Sequence, residues 1–337
     1  MPQRNYIKTK EKVSQSSKRI VLGIDLEMYK EIVQVPEAFR AWVDENIARH
    51  PELFPSEIVK GYDLHSTRTS RKLPGVILRR IQLKSNQDVF SIAPSSVMPY
   101  MTGYTDDVEK ALFLLRFGVP YWALTYVFGK NDMFWFRQFC HFGRYHIIQT
   151  TVKDMEKLPK DLLADEKHIY IHGEKAYIAT TVGSDCILGA SISLSADEEG
   201  LTEAYGHFQE EVLHLNPGYE PESVNIDGWA ATQKAWLNLF PLIAIIQCFL
   251  HAFLKIRNCC RKRFKEIYPE IAQQVWDAYK AIDATSFLAQ IAALENWAEE
   301  KLQGTGSALQ SVQKLCAKAD LFVLSFDHPT AYRTSNM

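Results

Sequence analysis

The chain of 337 residues is poor in cysteine: it has six, none before Cys140, at irregular spacing. That excludes the disulfide framework of a small secreted domain and fits a reducing cytoplasm. Net charge is nearly absent at −2, so no global basic field announces a nucleic-acid partner, and such a contact has to come from local patches. An apolar leader is lacking as well. The first twenty residues carry Arg4, Lys8, Lys10, Lys12, Lys18 and Arg19 and read as a flexible basic arm, not a signal peptide. Internal repeats and low-complexity segments are missing. What is left is the composition of an ordinary soluble globular protein, 47% hydrophobic and 23% charged, long enough for two domains or three.

One run, AWLNLFPLIAIIQCFLHAFL at 235–254, approaches the length of a membrane span and is followed by Lys255, Arg257, Arg261, Lys262 and Arg263. It also contains Asn238, Pro241, Gln247 and His251, and it splits at Pro241 into a helix and a buried strand. The expectation is no membrane.

After the basic arm, residues 21–150 read as a mostly helical N-terminal DNA-binding region. PEAFRAWVDENIAR at 36–49 is a helix with Pro at its start. The stretch 54–86 is basic, with Lys60, Arg68, Arg71, Lys72, Arg79, Arg80 and Lys84, and GVILRRIQLK within it alternates like a strand. That patch suits phosphate, or it is simply a solvated face. Three short helical patterns fill 105–144, joined at Gly118-Val-Pro120 and Gly129-Lys-Asn131. Their spacing is that of a helix-turn-helix. In that reading the helix from Asp132 to Phe142 enters a major groove, with Lys130, Arg137 and Arg144 on phosphates or bases. Phe134, Trp135, Phe136 and Phe139 make it greasier than most such helices, and a plain helical core packet is the alternative.

From residue 158 the pattern changes. DLLADEKHIYIHG, AYIATTVG and CILGASISL are three strands with tight links, an antiparallel meander. EEGLTEAYGHFQEEVLHL is an amphipathic helix, SVNIDG a short apolar strand, ATQKAWLNLF a helix and PLIAIIQCF a fifth strand. The order is β-β-β-α-β-α-β, and ligands are expected at the carboxyl ends of the parallel strands. Residues 255–318 are helical almost throughout, and LFVLSFDHP reads as a final core strand within 319–337.

SVNIDGW ends a buried strand on a carboxylate. Alone, such an Asp is commonly a turn former or a helix cap. The strand order gives it a second meaning, because it is that of the ribonuclease H-like fold: a mixed five-stranded sheet over 158–254, here with an all-α insertion at 255–318. In that fold the first and fourth strands are neighbours, so Asp165 in LLADEKH and Asp227 in SVNIDGW face each other. Two carboxylates that close repel unless a cation sits between them. Mg²⁺ or Mn²⁺ suits oxygen donors, and paired ions of this kind cut and join phosphodiesters.

Over roughly 90–337 the chain resembles the DDE-type, Mutator-like transposases of bacterial insertion sequences. LLADEKH and SVNIDGW match the strands of the first two acids. Cys248-Phe-Leu-His251 matches a Cys-x-x-His pair downstream of the second, and the tail HPTAYRTSNM resembles the segment ahead of the last acid. The resemblance implies DNA transposition: binding of terminal inverted repeats, cutting of element ends, joining to target DNA, a homo-oligomer, and a cytoplasmic, nucleoid-associated protein. It implies Asp165 and Asp227 as metal ligands, Cys248 and His251 as accessory residues, and Lys255, Arg257, Arg261, Lys262 and Arg263 along a DNA backbone. A zinc site from Cys248, His251, Cys259 and Cys260 lacks the spacing of a common module. The family's third acid is expected just past Met337, which implies a truncated frame with impaired chemistry. Glu295, Glu299 and Asp327 are the in-chain substitutes. The alternative reading is a non-catalytic DNA-binding protein or transposition inhibitor derived from a transposase, and a cellular nuclease of the same fold stands third.

Overall fold

A computed structural model describes residues 18–98, 102–141, 148, 151–171 and 174–328, without the side chains at 116, 140, 141, 171 and 262. The chain divides into two compact units, Met1–Lys157 and Leu158–Met337. Both are mixed α/β, one built on a mixed sheet of four strands and the other on a mixed sheet of five.

The first unit opens with β1 (Arg19–Leu22), α1 (Leu26–Gln34) and α2 (Pro36–Arg49). Asp25 caps α1 by accepting from the backbone N–H groups of Glu27 and Met28. Strands β2 (Tyr62–Thr69), β3 (Ile77–Leu83) and β4 (Val89–Pro94) complete a sheet of order β1-β4-β3-β2, in which only β1 and β4 are parallel. The expectation of a mostly helical N-terminal region is corrected here. The cause is visible in β2: YDLHSTRT lies at the sheet edge and buries only Tyr62, so it carries almost no hydrophobic pattern.

Part of the basic stretch belongs to this architecture. Arg79 donates through Nε and Nη2 to the Val33 carbonyl at 2.9 and 2.7 Å, and its guanidinium lies 5.5 Å from the Phe39 ring centre. Arg80 donates to Ser66 Oγ at 2.8 Å, and Lys84 pairs with Asp63 at 3.6 Å. Lys60, Arg68, Arg71 and Lys72 are exposed.

Three helices follow: α3 (Thr105–Arg116), α4 (Tyr121–Phe128) and α5 (Asp132–His141). Gly118 and Gly129 turn the chain between them at φ 80 and 69, where a side chain would be strained. Val108, Ala111, Leu124 and Trp135 form their core, and Trp135 Nε1 donates to the Gly129 carbonyl at 3.0 Å.

In the second unit β5 (Asp161–Ile171), β6 (Glu174–Gly183) and β7 (Cys186–Ser193) form the antiparallel meander. Helix α6 (Glu198–Leu215), β8 (Ser223–Ile226), α7 (Ala230–Leu239) and β9 (Ala244–Gln247) follow. The sheet runs β7-β6-β5-β8-β9, with β5, β8 and β9 mutually parallel. Glu166 of β5 reaches Tyr205 of α6 and Thr232 of α7, which places those helices on one face of the sheet.

The remaining helices are α8 (Phe249–Arg263), α9 (Tyr268–Tyr279), α10 (Ala284–Lys301), α11 (Ser307–Cys316) and α12 (Ala319–Val323). They share one apolar cluster that runs from Phe249 to Phe322. Two expectations are corrected. The boundary at 254/255 falls inside α8, because Phe249, Ala252, Phe253 and Ile256 already belong to that cluster. The segment LFVLSFDHP is no strand: α12 is followed by a 3-10 turn at Leu324–Phe326. A short apolar run fits either conformation. Helical spacing sets Phe322 and Phe326 on one side, and both pack against Phe287, at 6.4 and 5.8 Å. Residues 329–337, with most of the tail HPTAYRTSNM, lie outside the described residues. Among the described residues no helix is long and apolar enough to cross a membrane. The run 235–254 is divided among α7, β9 and α8.

Candidate functional site

Register does most to build the site. Leu163 of β5 lies opposite Asn225 of β8, and Ile226 of β8 lies opposite Gln247 of β9. Asp165 is two residues beyond Leu163, Asp227 two beyond Asn225, and Cys248 one beyond Gln247. The three therefore share a level on adjacent parallel strands, Asp165 inside β5 and Asp227 and Cys248 just past the carboxyl ends of β8 and β9, with a strand spacing of about 4.8 Å. Side chains alternate along a strand, so Asp165 and Asp227 stand on the same face of the sheet, and Glu166 on the other.

Local geometry fixes Asp227. Its Oδ1 accepts the backbone N–H of Trp229 at 2.8 Å. Gly228 between them has φ +90, and a Cβ there would lie 2.7 Å from Gln247 Nε2 and 2.8 Å from its Cδ. The Gly therefore lets the chain turn closely over the buried Gln247. Trp229 then packs against the rings of His168 and Tyr177, at 5.6 and 6.0 Å.

Electrostatics tie the cluster together. Burial raises the Asp165 pKa and the charge of Asp227 adds to that, while His251 and His168 oppose it. The His251 pKa is raised above its ordinary value, chiefly by a hydrogen bond with Cys248 and further by the carboxylates of Asp165 and Asp227, against its burial. Glu166 is a different case. Burial pushes it up to about 7, although Tyr205 Oη and Thr232 Oγ1 both donate to its Oε1 at 2.8 Å. Among the described residues, no third His, Cys, Asp or Glu closes with Asp165 and Asp227 into a group of three within 4.8 Å.

The structure thus gathers Asp165, Asp227, Cys248 and His251, and it does not gather the rest of the expected set. Cys260 is buried in the helical cluster, and Cys259 Sγ lies 3.3 Å from the Ser307 carbonyl. Glu295 and Glu299 are exposed on α10, and Asp327 is exposed after the 3-10 turn. Lys255 lies one turn beyond His251 on α8, on the same side, as i,i+4 spacing requires. Arg257, two residues on, falls on another side, and Arg261 and Arg263 are exposed. The side chain of Lys262 lies outside the described residues.

In the helix-turn-helix candidate, Lys130 and Arg137 are exposed, Lys130 Nζ is 6.0 Å from the Phe134 ring centre, and Arg144 lies outside the described residues. The exposed side of α5 is dominated by Met133, Phe136 and Phe139. One cation of the second unit is marked by no motif. Lys318, half-buried just before α12, has its pKa lowered by burial and by the charge of Lys255, with Asp227 acting the other way.

No protein-family model matches the chain, and no curated protein matches it. Among solved structures, the chain is similar at 13% identity and a TM-score of 0.20 to a chain of the simian T-cell lymphotropic virus intasome in complex with the PP2A regulatory subunit B56 gamma. The match covers 55% of this chain and 66% of the other, and at that TM-score it carries no argument about function.

Proposed function

We propose that the second unit holds a divalent cation, Mg²⁺ or Mn²⁺, at Asp165 and Asp227 and acts on DNA phosphodiesters as DDE transposases do. One observation carries the reading: the β5–β8 register that brings the two acids level and on one face, Asp165 within β5 and Asp227 at the carboxyl end of β8. The order β7-β6-β5-β8-β9, with its antiparallel meander and parallel β5, β8 and β9, is the strand order of the ribonuclease H-like fold and supports it.

The donor set fits such an ion. Burial raises the Asp165 pKa and the charge of Asp227 adds to that, and His251 opposes the rise without cancelling it. Hard oxygen donors suit Mg²⁺ and Mn²⁺, which keep further positions for water and phosphate oxygens. When bound, such ions activate a water or 3′-hydroxyl and stabilise the leaving oxygen of a phosphodiester. The chain's own residues do the holding. Asp165 is carried in the interior of a long strand, and Asp227 is fixed by the Trp229 N–H. His251 lends positive charge to the acid pair and is itself oriented by Cys248. Glu166 is kept on the opposite face by Tyr205 and Thr232 and leaves the pair to its own side.

The test is Mn²⁺ binding by calorimetry, followed by cleavage of DNA carrying element ends. The parent should bind Mn²⁺, and Asp165→Asn or Asp227→Asn should weaken binding at least about tenfold, since each removes a charged ligand. A parent that binds no divalent ion, or variants that bind it equally well, sinks the reading. The second reading, a DNA-binding protein without catalysis, draws on the same pair's lack of a third carboxylate among the described residues. It is the outcome in which Mn²⁺ and DNA bind and no strand is cut.

A further inference from the structure

Two lysines converge beside the acid pair, and neither has a side-chain hydrogen bond or ion-pair partner among the described residues. Lys255 stands on α8 one turn past His251. Lys318 occupies the position just before α12, whose Phe322 packs against Phe249 at the start of α8 with ring centres 5.2 Å apart. Helix α12 also packs on β9. The two elements thus meet at the end of β9, level with Asp227. Lys318 lies close enough to Lys255 and to Asp227 to feel both charges. Bringing two ammonium groups together, one of them half-buried, is unfavourable unless something negative lies between them.

We infer that Lys255 and Lys318 form a two-pronged clamp for a phosphate of the DNA strand presented to Asp165 and Asp227. This rests on the reading of the acid pair as a cation site and assigns the anion-holding half of the same centre. A bare acid pair repels a phosphodiester until a divalent cation neutralises it. Two lysines on the flank supply positive charge that stays in place without an ion, so the strand can be held before the cation arrives. Among the described side chains of the basic run 255–263, Lys255 is the one a single turn from His251, on the helix whose Phe249 packs against Phe322 of α12. Lys318, more than sixty residues away in sequence, is its counterpart.

The full chain is titrated with a short mixed-sequence DNA duplex by fluorescence anisotropy at several salt concentrations, in chelator so that no divalent ion takes part. Removing one lysine–phosphate pair should reduce the slope of log K against log salt by about 0.9. Lys255→Gln combined with Lys318→Gln removes that one contact, so it should flatten the slope by about 0.9 and weaken binding at low salt several-fold. The Arg pair at the same positions should restore it. The exposed Lys255→Gln alone gives the half-effect and stands in should the half-buried Lys318 variant fail to fold. Mn²⁺ binding should be retained in the Gln variants and be no weaker than the parent's, since each substitution removes a positive charge near the acid pair. An unchanged slope overturns the clamp while leaving the acid-pair reading intact. A parent that binds no Mn²⁺ but shows the lysine-dependent slope removes the acid-pair reading and keeps the DNA contact. Saturable binding of inorganic phosphate that needs both lysines, with a duplex slope that does not, overturns the clamp in favour of a small phosphate ligand.

Discussion

Gly228 occupies φ +90 between a carboxylate and an aromatic ring, directly above the buried side chain of Gln247. Only a residue without Cβ meets both demands. Gly228→Ala should cost roughly 2–4 kcal/mol, from left-handed backbone strain and from crowding against Gln247. Urea unfolding measures that, and a cost below about 0.5 kcal/mol would show that the turn relaxes freely. Glu52 makes a second single-residue case, in the first unit. It is 1% exposed, its Oε1 lies 3.8 Å from His50 Nδ1, and burial pushes its pKa from 4.5 up to about 7. The sign follows from the raised value: the protonated acid is favoured in the fold, so its contribution is full below about 4.5 and lost as pH rises through about 7. The stability of the parent relative to Glu52→Gln should therefore fall across that window, by on the order of 3 kcal/mol, and stay level on either side. Thermal unfolding of both proteins from acid to mildly alkaline pH gives the difference directly. A difference independent of pH would remove the burial argument.

Secondary elements separate what local pattern can say from what it cannot. The meander, α6, β8, α7 and β9 are written in alternation, tight turns and helical spacing, and that pattern places the two acids on their strands. Helices α3, α4 and α5 are likewise marked by Asp106 and Asp107 in a first turn and by glycines at the joints. Strand β2 is hidden from such a reading because an edge strand with one buried residue has no apolar rhythm. Segment 319–326 has an apolar content that suits a strand as well as a helix, and the contacts of Phe322 and Phe326 with Phe287 decide between them. Lys318 is invisible for the same reason: its place at the acid pair exists only because α12 folds back onto β9.

Across the full chain, the two units carry separate cores. Trp135 is central to the three helices of the first, and Leu294 to the helical cluster of the second. Trp135→Ala should cost about 3–5 kcal/mol and Leu294→Ala about 2–5, each through a cavity its surroundings fill only in part. Hydrogen exchange should record each destabilisation in the mutated unit, with amides of the other unit keeping their protection. Weakened protection spread evenly across both units would contradict that independence.

Local chemistry is enough to give the order of strands and helices from β5 to β9 and, through that order, to single out Asp165 and Asp227, because periodicity and turn residues act over short stretches of chain; Cys248 and His251 are marked only by the resemblance. It does not reach the register that levels the acids, the face that separates Glu166 from Asp165, the sheet of the first unit, or the pairing of Lys255 with Lys318. Those arise in three dimensions, from which strands become neighbours and which helices fold back. The free energy of such choices comes from contacts between residues far apart along the chain.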